Sequence, residues 1–295
     1  RDEREKQFEI VEEATKFFEN RLGGDTLMYL KNRGLSETTI KEFRLGYAPD
    51  DWRSLLNHLV SRSFKEVDIE RAGLVIKKES GGYYDRFRGR IIFPIFNNSG
   101  KVIAFGGRIF PEKFDMAKYI NSPETPFYQK SKILYGLHKS KTEILRENFC
   151  VLVEGYMDFL SAYQSGTKNI IAVSGTALTE EQLKTLKRFC EKLIVSFDMD
   201  EAGEGATKRG VGLALKEGFD VKILKLPEKI KDPADAILEG KEIWAQALQN
   251  ARHIVQFYID SALKKFAIGS PELSREIQRS VLPAVSSLFS DLEQA

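Results

Sequence analysis

The sequence has few of the residues that build disulfide frameworks and zinc sites. Its 295 residues include two cysteines and three histidines, so we expect neither a disulfide scaffold nor a Cys/His zinc site within it. No apolar run approaches the length of a membrane span, and no signal peptide is evident. With 42% hydrophobic and 30% charged residues, the composition is that of an ordinary globular protein. A cytoplasmic protein in a reducing compartment is the expected class.

Four short apolar runs in the second half of the chain predict the strands of a buried sheet. They are Cys150–Val153, Asn169–Val173, Leu193–Phe197 and Val221–Leu226. Nearly continuous apolar runs suit strands that are covered on both faces. The connecting segments have helical signals, such as the capping box that begins at Thr179. Alternating strands and helices predict a parallel sheet with right-handed crossovers.

Acidic residues follow three of these four strands. They are Glu154 and Asp158, Asp198 and Asp200, and, after a short loop, Asp232 and Asp235. Because parallel strands end at one edge of a sheet, where ligands bind, we expect five acids to converge there: Glu154, Asp158, Asp198, Asp200 and Asp232. Carboxylates that lie close together repel each other, and a divalent cation removes this repulsion. Oxygen ligands alone favour Mg²⁺ or Mn²⁺ over zinc.

Other interpretations of these acids stand beside a metal site. Asp200 or Glu201 could cap the following helix, and Asp158 could be an acid favoured in a first helical turn. A calcium loop fits poorly because Ala202 takes the third ligand position and Arg209 the position of the closing glutamate. The segment Phe197–Asp200 also resembles the nucleophile motif of haloacid-dehalogenase-like phosphatases, but there the acidic pair follows the first strand of the fold.

The N-terminal part of the chain predicts several helices and then antiparallel strands. The helices are expected within residues 1–22, 25–30, 36–45 and 55–59. Farther on, Ile91–Phe96 and Val102–Phe105 predict a hairpin. The stretch Asp85–Arg90 predicts a strand with its three arginines on one face, and Lys118–Lys130 predicts a loop. Beyond the predicted sheet, we expect two helices, Ile243–Phe266 and Pro271–Leu288.

Positive charge is concentrated in the middle of the chain. Residues 83–146 contain 12 lysines and arginines against 5 aspartates and glutamates. This stretch therefore carries a net charge of +7, whereas the whole chain carries +2. A basic surface that neutralises phosphates gains affinity from released counterions, and guanidinium forks suit phosphate geometry. Polyanion binding is the prediction, with a dispersed, solvated set of lysines as the alternative.

Three stretches resemble the TOPRIM domain that bacterial primases, topoisomerases and some nucleases share. They are Val153–Asp158, Phe197–Gly203 and Lys231–Pro233. The Glu-Gly-Tyr-Met-Asp form of the first is similar to DnaG-type bacterial DNA primases. At the last motif family members often carry Asp-Pro-Asp, whereas Pro233 and Ala234 follow Asp232 here. The family pattern therefore carries over to Asp232 and departs at Asp235.

This resemblance extends over most of the chain and implies its architecture. The expected fold is α/β, with a TOPRIM-type parallel sheet flanked by helices. A basic α+β subdomain would precede the sheet and a small helical bundle would follow it. We place these parts at residues 1–128, 129–252 and 253–295. Because Arg1 lies inside a predicted helix, we expect a piece of a longer protein, with the family's zinc-binding and helicase-contacting domains outside it.

The resemblance also implies a function, namely that of a DNA primase. Such an enzyme is a DNA-directed RNA polymerase that joins ribonucleoside triphosphates into short RNA primers on a single-stranded DNA template. The implied catalytic residues are Glu154, Asp198 and Asp200. The implied ligands of Mg²⁺ or Mn²⁺ are Glu154, Asp158, Asp198, Asp200 and Asp232. The implied contacts to nucleotide, template and RNA primer are Arg33, Arg86, Arg88, Lys118, Tyr119, Asn121 and Lys130.

Two other classes of function stay open at this point. A TOPRIM nuclease or topoisomerase would use the same acids to cleave DNA, and a topoisomerase would also need a nucleophilic tyrosine. A non-catalytic nucleic-acid-binding module would use the acids to hold a structural ion. The replicative helicase, the implied partner of a primase, would contact a domain other than these.

Overall fold

The computed structural model of the chain describes residues 3–175, 177–196 and 201–286, and within the last range it describes side chains from residue 209 onward. The chain divides into two units, Arg1–Ile133 and Leu134–Ala295. Each unit has its own hydrophobic core. The boundaries of the three expected subdomains stay predictions.

The first unit combines short helices with antiparallel strands. Its helices are α1 (Glu3–Glu19), α2 (Gly24–Asn32), α3 (Glu37–Glu42), α4 (Ser54–Ser61) and α5 (Glu66–Arg71). Its strands are β1 (Gly46–Ala48), β2 (Val75–Lys77), β3 (Tyr83–Asp85), β4 (Arg90–Phe96), β5 (Val102–Ile109) and β6 (Tyr119–Asn121). One antiparallel sheet has the order β1-β4-β5-β6, and β2 pairs with β3 apart from it. The predicted β4–β5 hairpin is confirmed.

Helix α1 provides much of the core of this unit. Its apolar residues recur at helical spacing, so one stripe is buried. Within that stripe, the Phe18 ring meets the Phe105 ring of β5 edge-on, with centroids 5.3 Å apart. Strands β4 and β5 are buried along their whole length. The sheet is therefore held against α1 by apolar contact on the face that carries Phe105.

Two predictions for this unit are wrong. Residues 86–89 are not a strand, since β3 ends at Asp85 and β4 begins at Arg90. Gly89 between them has φ +56°, a left-handed conformation that interrupts extended backbone. In addition, Lys118–Lys130 is more than a loop, because it contains β6, which pairs with β5 through Gly106 and Asn121.

The second unit contains the predicted parallel sheet. Its helices are α6 (Leu137–Glu147), α7 (Tyr156–Ser165), α8 (Glu180–Leu186), α9 (Glu201–Lys216), α10 (Pro233–Glu239), α11 (Lys241–Gln249), α12 (Ile254–Lys265) and α13 (Pro271–Glu276). Its strands are β7 (Phe149–Val153), β8 (Ile170–Ala172), β9 (Lys192–Ser196), β10 (Asp220–Ile223) and β11 (Arg252–His253). The order is β11-β10-β9-β7-β8; β11 is antiparallel and the other pairings are parallel.

Local signals in the sequence set the helix ends around this sheet. The Thr179 hydroxyl accepts a hydrogen bond from the Gln182 N–H at 3.2 Å, and the Gln182 side chain accepts one from the Thr179 N–H at 3.0 Å. This is the predicted capping box of α8. Helix α7 ends at Gly166, whose φ of +116° suits glycine. The ends of these helices are therefore set by local sequence signals, in addition to the pairing of the strands in the sheet.

The C-terminal part differs from its prediction. A continuous helix over Ile243–Phe266 is wrong, because the chain leaves α11 after Gln249 and forms β11 before α12. His253 of β11 pairs with Lys222 of β10. The two residues of β11 are therefore in a strand although the sequence around them has a helical pattern. After α13 the backbone continues as one π turn, Ile277–Val281. Among the described helices, none is both long enough and apolar enough to cross a membrane.

Candidate active site and nucleic-acid interface

The turn from β7 into α7 carries two of the predicted acids. Glu154 follows the last residue of β7 and is exposed. Gly155 is the N-cap of α7, and Asp158 lies in the first turn of that helix. The Asp158 carboxylate accepts a hydrogen bond from the Gly155 N–H, with Oδ2 and N 3.0 Å apart. The turn thus fixes the Asp158 side chain beside the strand end.

Gly155 has a steric reason to be glycine. A Cβ at this position would lie 2.9 Å from Oδ2 of Asp158, which is closer than a carbon and a carboxylate oxygen approach without strain. Any side chain here would push the carboxylate from its backbone donor. In the Glu-Gly pair of the motif, Glu154 is therefore an exposed acid, and Gly155 leaves space for the carboxylate of Asp158.

Asp232 reaches the same region from α10. It is the N-cap of that helix, and its Oδ1 accepts a hydrogen bond from the Asp235 N–H at 2.7 Å. Pro233 takes the first helical position, where its missing N–H costs nothing. Helix α10 packs on α7, and the Ala234 N–H of α10 donates to Asp158. Two helix N-termini therefore share the Asp158 carboxylate.

The charges of these acids interact. The pKa of Asp158 is raised to about 7, mainly by burial and then by the negative charge of Asp232, with a smaller upward effect from Glu154. Hydrogen bonds from the Gly155 and Ala234 N–H groups lower the pKa and offset part of this rise. The structure thus brings Glu154, Asp158 and Asp232 together at the carboxyl edge of the sheet, and leaves them with mutual repulsion.

The remaining two acids of the predicted ligand set, Asp198 and Asp200, lie outside the described residues. Within residues 3–175, 177–196 and 201–286, no group of three or more His, Cys, Asp or Glu side chains forms a metal-binding arrangement. The chemistry of the described donors nevertheless fits a hard cation, because they are carboxylate oxygens whose charges repel one another. The ligand roles of the five acids stay predictions.

In the first unit, Arg88 joins two aromatic rings at the surface. Its guanidinium lies 4.1 Å from the Trp52 ring centroid and 5.1 Å from the Tyr84 ring centroid. The two rings meet nearly edge-on, with centroids 5.4 Å apart. Trp52 is 59% exposed, although the arginine covers one part of it. We call Trp52, Tyr84 and Arg88 the aromatic platform; such stacked cations and rings bind unpaired bases and phosphates.

Arg86 and Asn121, two of the predicted nucleotide and nucleic-acid contacts, are hydrogen-bonded to each other. The Arg86 guanidinium donates to the Asn121 carbonyl oxygen, from Nε at 3.2 Å and from Nη2 at 3.1 Å. Burial lowers the pKa of Arg86. Arg90, by contrast, is buried and donates to the carbonyl oxygens of Gly107 and Ala117. The three arginines of the motif therefore have three different surroundings, not one shared face.

Strands β5 and β6 hold the next group of cations and rings. Lys118 and Tyr119 are exposed, and Tyr119 pairs with Arg108 across the two strands. Arg108 is 7% exposed and forms an ion pair with Glu112, yet its Nη1 is buried and has no hydrogen-bond partner among the described atoms. A buried guanidinium nitrogen in that state favours an oxygen ligand such as a phosphate.

The other two predicted contacts lie on separate elements. Arg33 is the half-buried C-cap residue of α2. Lys130 is half-buried after β6, and its N–H donates to the Glu124 carboxylate at 2.9 Å. Sequence reasoning missed Trp52, Tyr84 and Arg108 as site candidates. A motif could not reveal the platform, because Trp52 and Arg88 are brought together by tertiary packing.

Two family models match the chain. One, described as DNA primase catalytic core, N-terminal domain, matches residues 14–141. The other, described as Toprim-like, matches residues 151–237. The match to the first lies mostly in the unit with the aromatic platform, and the match to the second lies in the unit with the three converging acids.

Individual relatives agree with these models. The DNA primase of Clostridium acetobutylicum is 39% identical over 271 residues, which cover 91% of this chain and 45% of that protein. The chain thus spans about half the length of the curated relatives it matches.

Solved structures are similar over both units. A DNA primase domain from Pseudomonas aeruginosa has a TM-score of 0.84 and 30% identity, with 96% of this chain and 90% of that chain covered. A DnaG primase catalytic domain bound to single-stranded DNA has a TM-score of 0.83 and 29% identity, with 97% and 91% covered. This chain belongs to the DnaG primase family, and its fold is that of the catalytic core with the Toprim domain.

Proposed function

We propose that the chain makes short RNA primers on single-stranded DNA, as the RNA polymerase part of a bacterial replication primase. The observation that carries the proposal is the convergence of Glu154, Asp158 and Asp232 at one sheet edge, in a chain similar to DnaG catalytic domains over both of its units. The reaction joins a ribonucleoside triphosphate to the 3′-hydroxyl of another ribonucleotide and releases pyrophosphate. Such a reaction belongs at the replication fork in the cytoplasm.

A divalent cation, Mg²⁺ or Mn²⁺, would be held by the five acids, namely Glu154, Asp158, Asp198, Asp200 and Asp232. When bound, it supplies positive charge beside the attacking and leaving oxygens of phosphoryl transfer. Glu154 is exposed at the strand end, so it is either a ligand or the proton acceptor for the 3′-hydroxyl. Backbone N–H groups already restrain the side chains of Asp158 and Asp232.

The first unit would bind the template and the nucleotide. The aromatic platform offers an exposed ring for an unpaired base and a guanidinium for a phosphate. Arg108 offers a buried donor beside the exposed Lys118 and Tyr119. Arg33, Arg86, Asn121 and Lys130 complete the proposed set of nucleic-acid and nucleotide contacts. The RNA primer would share this surface with the template.

The test separates the proposed ligand role of Asp232 from its helix-capping role. Asparagine caps a helix about as well as aspartate does, so Asp232→Asn should keep the stability of α10 and remove the negative charge. We expect metal-dependent incorporation of labelled ribonucleotides on a single-stranded template to fall by about a hundredfold. Binding of that template, measured by fluorescence anisotropy, should stay within about twofold, because the platform is untouched.

The control variant is Glu239→Gln, which removes an exposed charge from the other end of the same helix. It should synthesise primers like the parent chain. Full primer synthesis by Asp232→Asn, or by Glu154→Gln, would contradict the proposal. A parallel assay on supercoiled plasmid distinguishes the nuclease and topoisomerase alternative, which predicts metal-dependent cleavage or relaxation in place of ribonucleotide incorporation.

A further inference from the structure

The second unit contains an open groove that the proposed reaction does not use. It lies between the loop after β10 and the helices α11 and α12, and its volume is about 1380 Å³. Pockets for small molecules commonly have about 300–1,000 Å³, so this groove is large for a metabolite and is open along one side. A macromolecular segment is the better match in size.

The floor of the groove is apolar. Ile223 and Ala247 are buried at 4% and 8% exposure, and the half-buried Ile243 and Phe257 line the groove beside them. Leu263 continues this surface at the edge with 47% exposure. Apolar side chains therefore form part of the groove wall, and an apolar surface rimmed by polar residues is typical of a binding site.

The rim of the groove carries two pairs of lysines, each from a different element. Lys225 and Lys229 stand on the loop after β10, and Lys264 and Lys265 stand on the last turn of α12. Two glutamates, Glu228 and Glu239, also line the groove. The remaining acid, Asp260, is already neutralised by an ion pair with Arg252. Two lysine pairs beside apolar lining residues therefore fit a ligand that has both acidic and apolar side chains.

We propose that this groove binds an acidic amphipathic helix of a partner protein. A helix laid in the groove would place its apolar stripe on the floor and its flanking carboxylates near the two lysine pairs. Helix α12 has 12 residues and is thus about 18 Å long, which sets the length of a matching partner helix at about three turns. The proposal does not depend on primer synthesis, since none of these residues belongs to the proposed reaction site.

Nucleic acid fits the groove less well. Its only aromatic lining side chain in the described part of the chain is Phe257, which is half-buried, so bases have little to stack on. The single guanidinium that lines the groove, that of Arg252, is engaged by Asp260. The lysines would attract the phosphates of a nucleic acid. The apolar lining of the groove, however, would contribute nothing to nucleic-acid binding.

The experiment measures binding of a fluorescein-labelled 16-residue probe to the intact chain. The probe has leucines at one helical face and glutamates elsewhere, and it should bind saturably by fluorescence anisotropy. Two charge-reversal variants, Lys225→Glu/Lys229→Glu and Lys264→Glu/Lys265→Glu, each change one lysine pair of the rim. Each should weaken binding by about fivefold to tenfold, since each removes two attractive pairs and adds repulsion. Probes with glutamine for glutamate, or with alanine for leucine, should bind weakly.

A matched control reverses two exposed cations of the same unit outside the groove, Arg188→Glu/Lys192→Glu. It should bind the probe within about twofold of the parent chain. Circular dichroism checks that every variant is folded, and the two lysine pairs serve as independent tests if one variant unfolds. The proposal fails if the parent chain shows no saturable binding, or if both rim variants bind the probe unchanged. It also fails if a labelled 12-nucleotide DNA loses more affinity than the probe in the same variants.

Discussion

At the N-terminus of α4, Asp85 shows how one buried side chain organises its surroundings. Its carboxylate is 2% exposed and accepts hydrogen bonds from the Leu55 and Leu56 N–H groups, at 2.7 and 2.9 Å. These donors have no partner within the helix. Burial still outweighs the hydrogen bonds and raises the pKa of Asp85 to about 6. Asp85 directly precedes the arginine motif, so it anchors the platform to a helix end.

This pKa predicts a pH-dependent stability. The folded-state pKa lies above the unfolded value of 3.8, so between about pH 4 and pH 6 the folded chain holds a proton that the unfolded chain has lost. The contribution of Asp85 to the free energy of unfolding should therefore fall as pH rises through this interval, by about 2–3 kcal/mol in total. Asp85→Asn cannot titrate. The stability difference between parent and variant, from urea unfolding at pH 4 and pH 7, isolates this effect.

The nearest charges, those of Asp51 and Arg88, have opposite influences on Asp85, and both are weaker than burial. The parent chain should therefore gain stability relative to Asp85→Asn when pH is lowered from 7 to 4. A difference between the two proteins that stays constant with pH would show that Asp85 titrates at its ordinary value when folded.

Among the elements, the contact between α1 and β1 depends on a residue with no side chain. A Cβ on Gly46 would lie 2.5 Å from Cβ of Phe18 and 2.6 Å from its backbone carbon. Because the second obstacle is backbone, no rotamer change can relieve it. Gly46→Ala must therefore separate the strand from the helix. We expect it to lower the free energy of unfolding by about 2–3 kcal/mol, measured by urea denaturation.

The control for this prediction is a glycine of α9. A Cβ on Gly212 would meet nothing within 4 Å, and glycine inside a helix costs about 0.5–1 kcal/mol relative to alanine. Gly212→Ala should therefore stabilise the chain by about that amount. Equal effects of the two substitutions would mean that backbone entropy, and not the close approach to Phe18, decides the outcome at Gly46.

Elements with a strong local signal could be predicted from the sequence. The α8 capping box at Thr179 and the buried strand β7 are cases where local chemistry and tertiary structure agree. Strands β6 and β11 could not be predicted, since they have three and two residues and exist because β5 and β10 offer hydrogen-bonding edges. Arg252 lies in a segment with a helical sequence pattern, but it pairs with a neighbouring strand. This pairing depends on tertiary structure, which a local stretch of sequence does not reveal.

The candidate site also has a part that could be predicted from the sequence and a part that could not. Glu154, Asp158 and Asp232 could be brought together from sequence because parallel topology delivers strand ends to one edge. The aromatic platform could not, because Trp52 and Arg88 meet only through folding. The prediction that the arginines share one face of a strand was also wrong. Gly89 interrupts the extended backbone, so Arg88 lies against an aromatic ring and Arg90 is buried in the core.

For the whole molecule, the two kinds of proposed chemistry belong to different units. The acids lie in the unit matched by the Toprim-like model, and the platform and Arg108 lie in the other. Most of the basic stretch from residue 83 belongs to the first unit, although the net charge of the chain is only +2. Binding of template and catalysis should therefore respond separately to substitution. The salt dependence of template binding can show this.

We expect Arg88→Ala and Trp52→Ala to weaken the binding of single-stranded DNA in two different ways. Each phosphate that a protein neutralises changes the slope of log K against log salt by about −0.7 for a single strand. Loss of the Arg88 charge should therefore reduce the slope by about that amount. Trp52→Ala removes stacking worth about 1–3 kcal/mol per base, which lowers affinity at every salt concentration. Its slope should stay that of the parent chain, because no counterion is involved.

The measurement is a titration of labelled oligonucleotide by fluorescence anisotropy at several concentrations of sodium chloride. Asp232→Asn is the control, and its affinity and slope should both match the parent chain, because the acid lies in the other unit. If Arg88→Ala lowers affinity with no change of slope, the guanidinium supports the Trp52 ring and does not contact a phosphate. The platform would then bind bases alone, and phosphate contacts would have to come from Lys118 and Arg108.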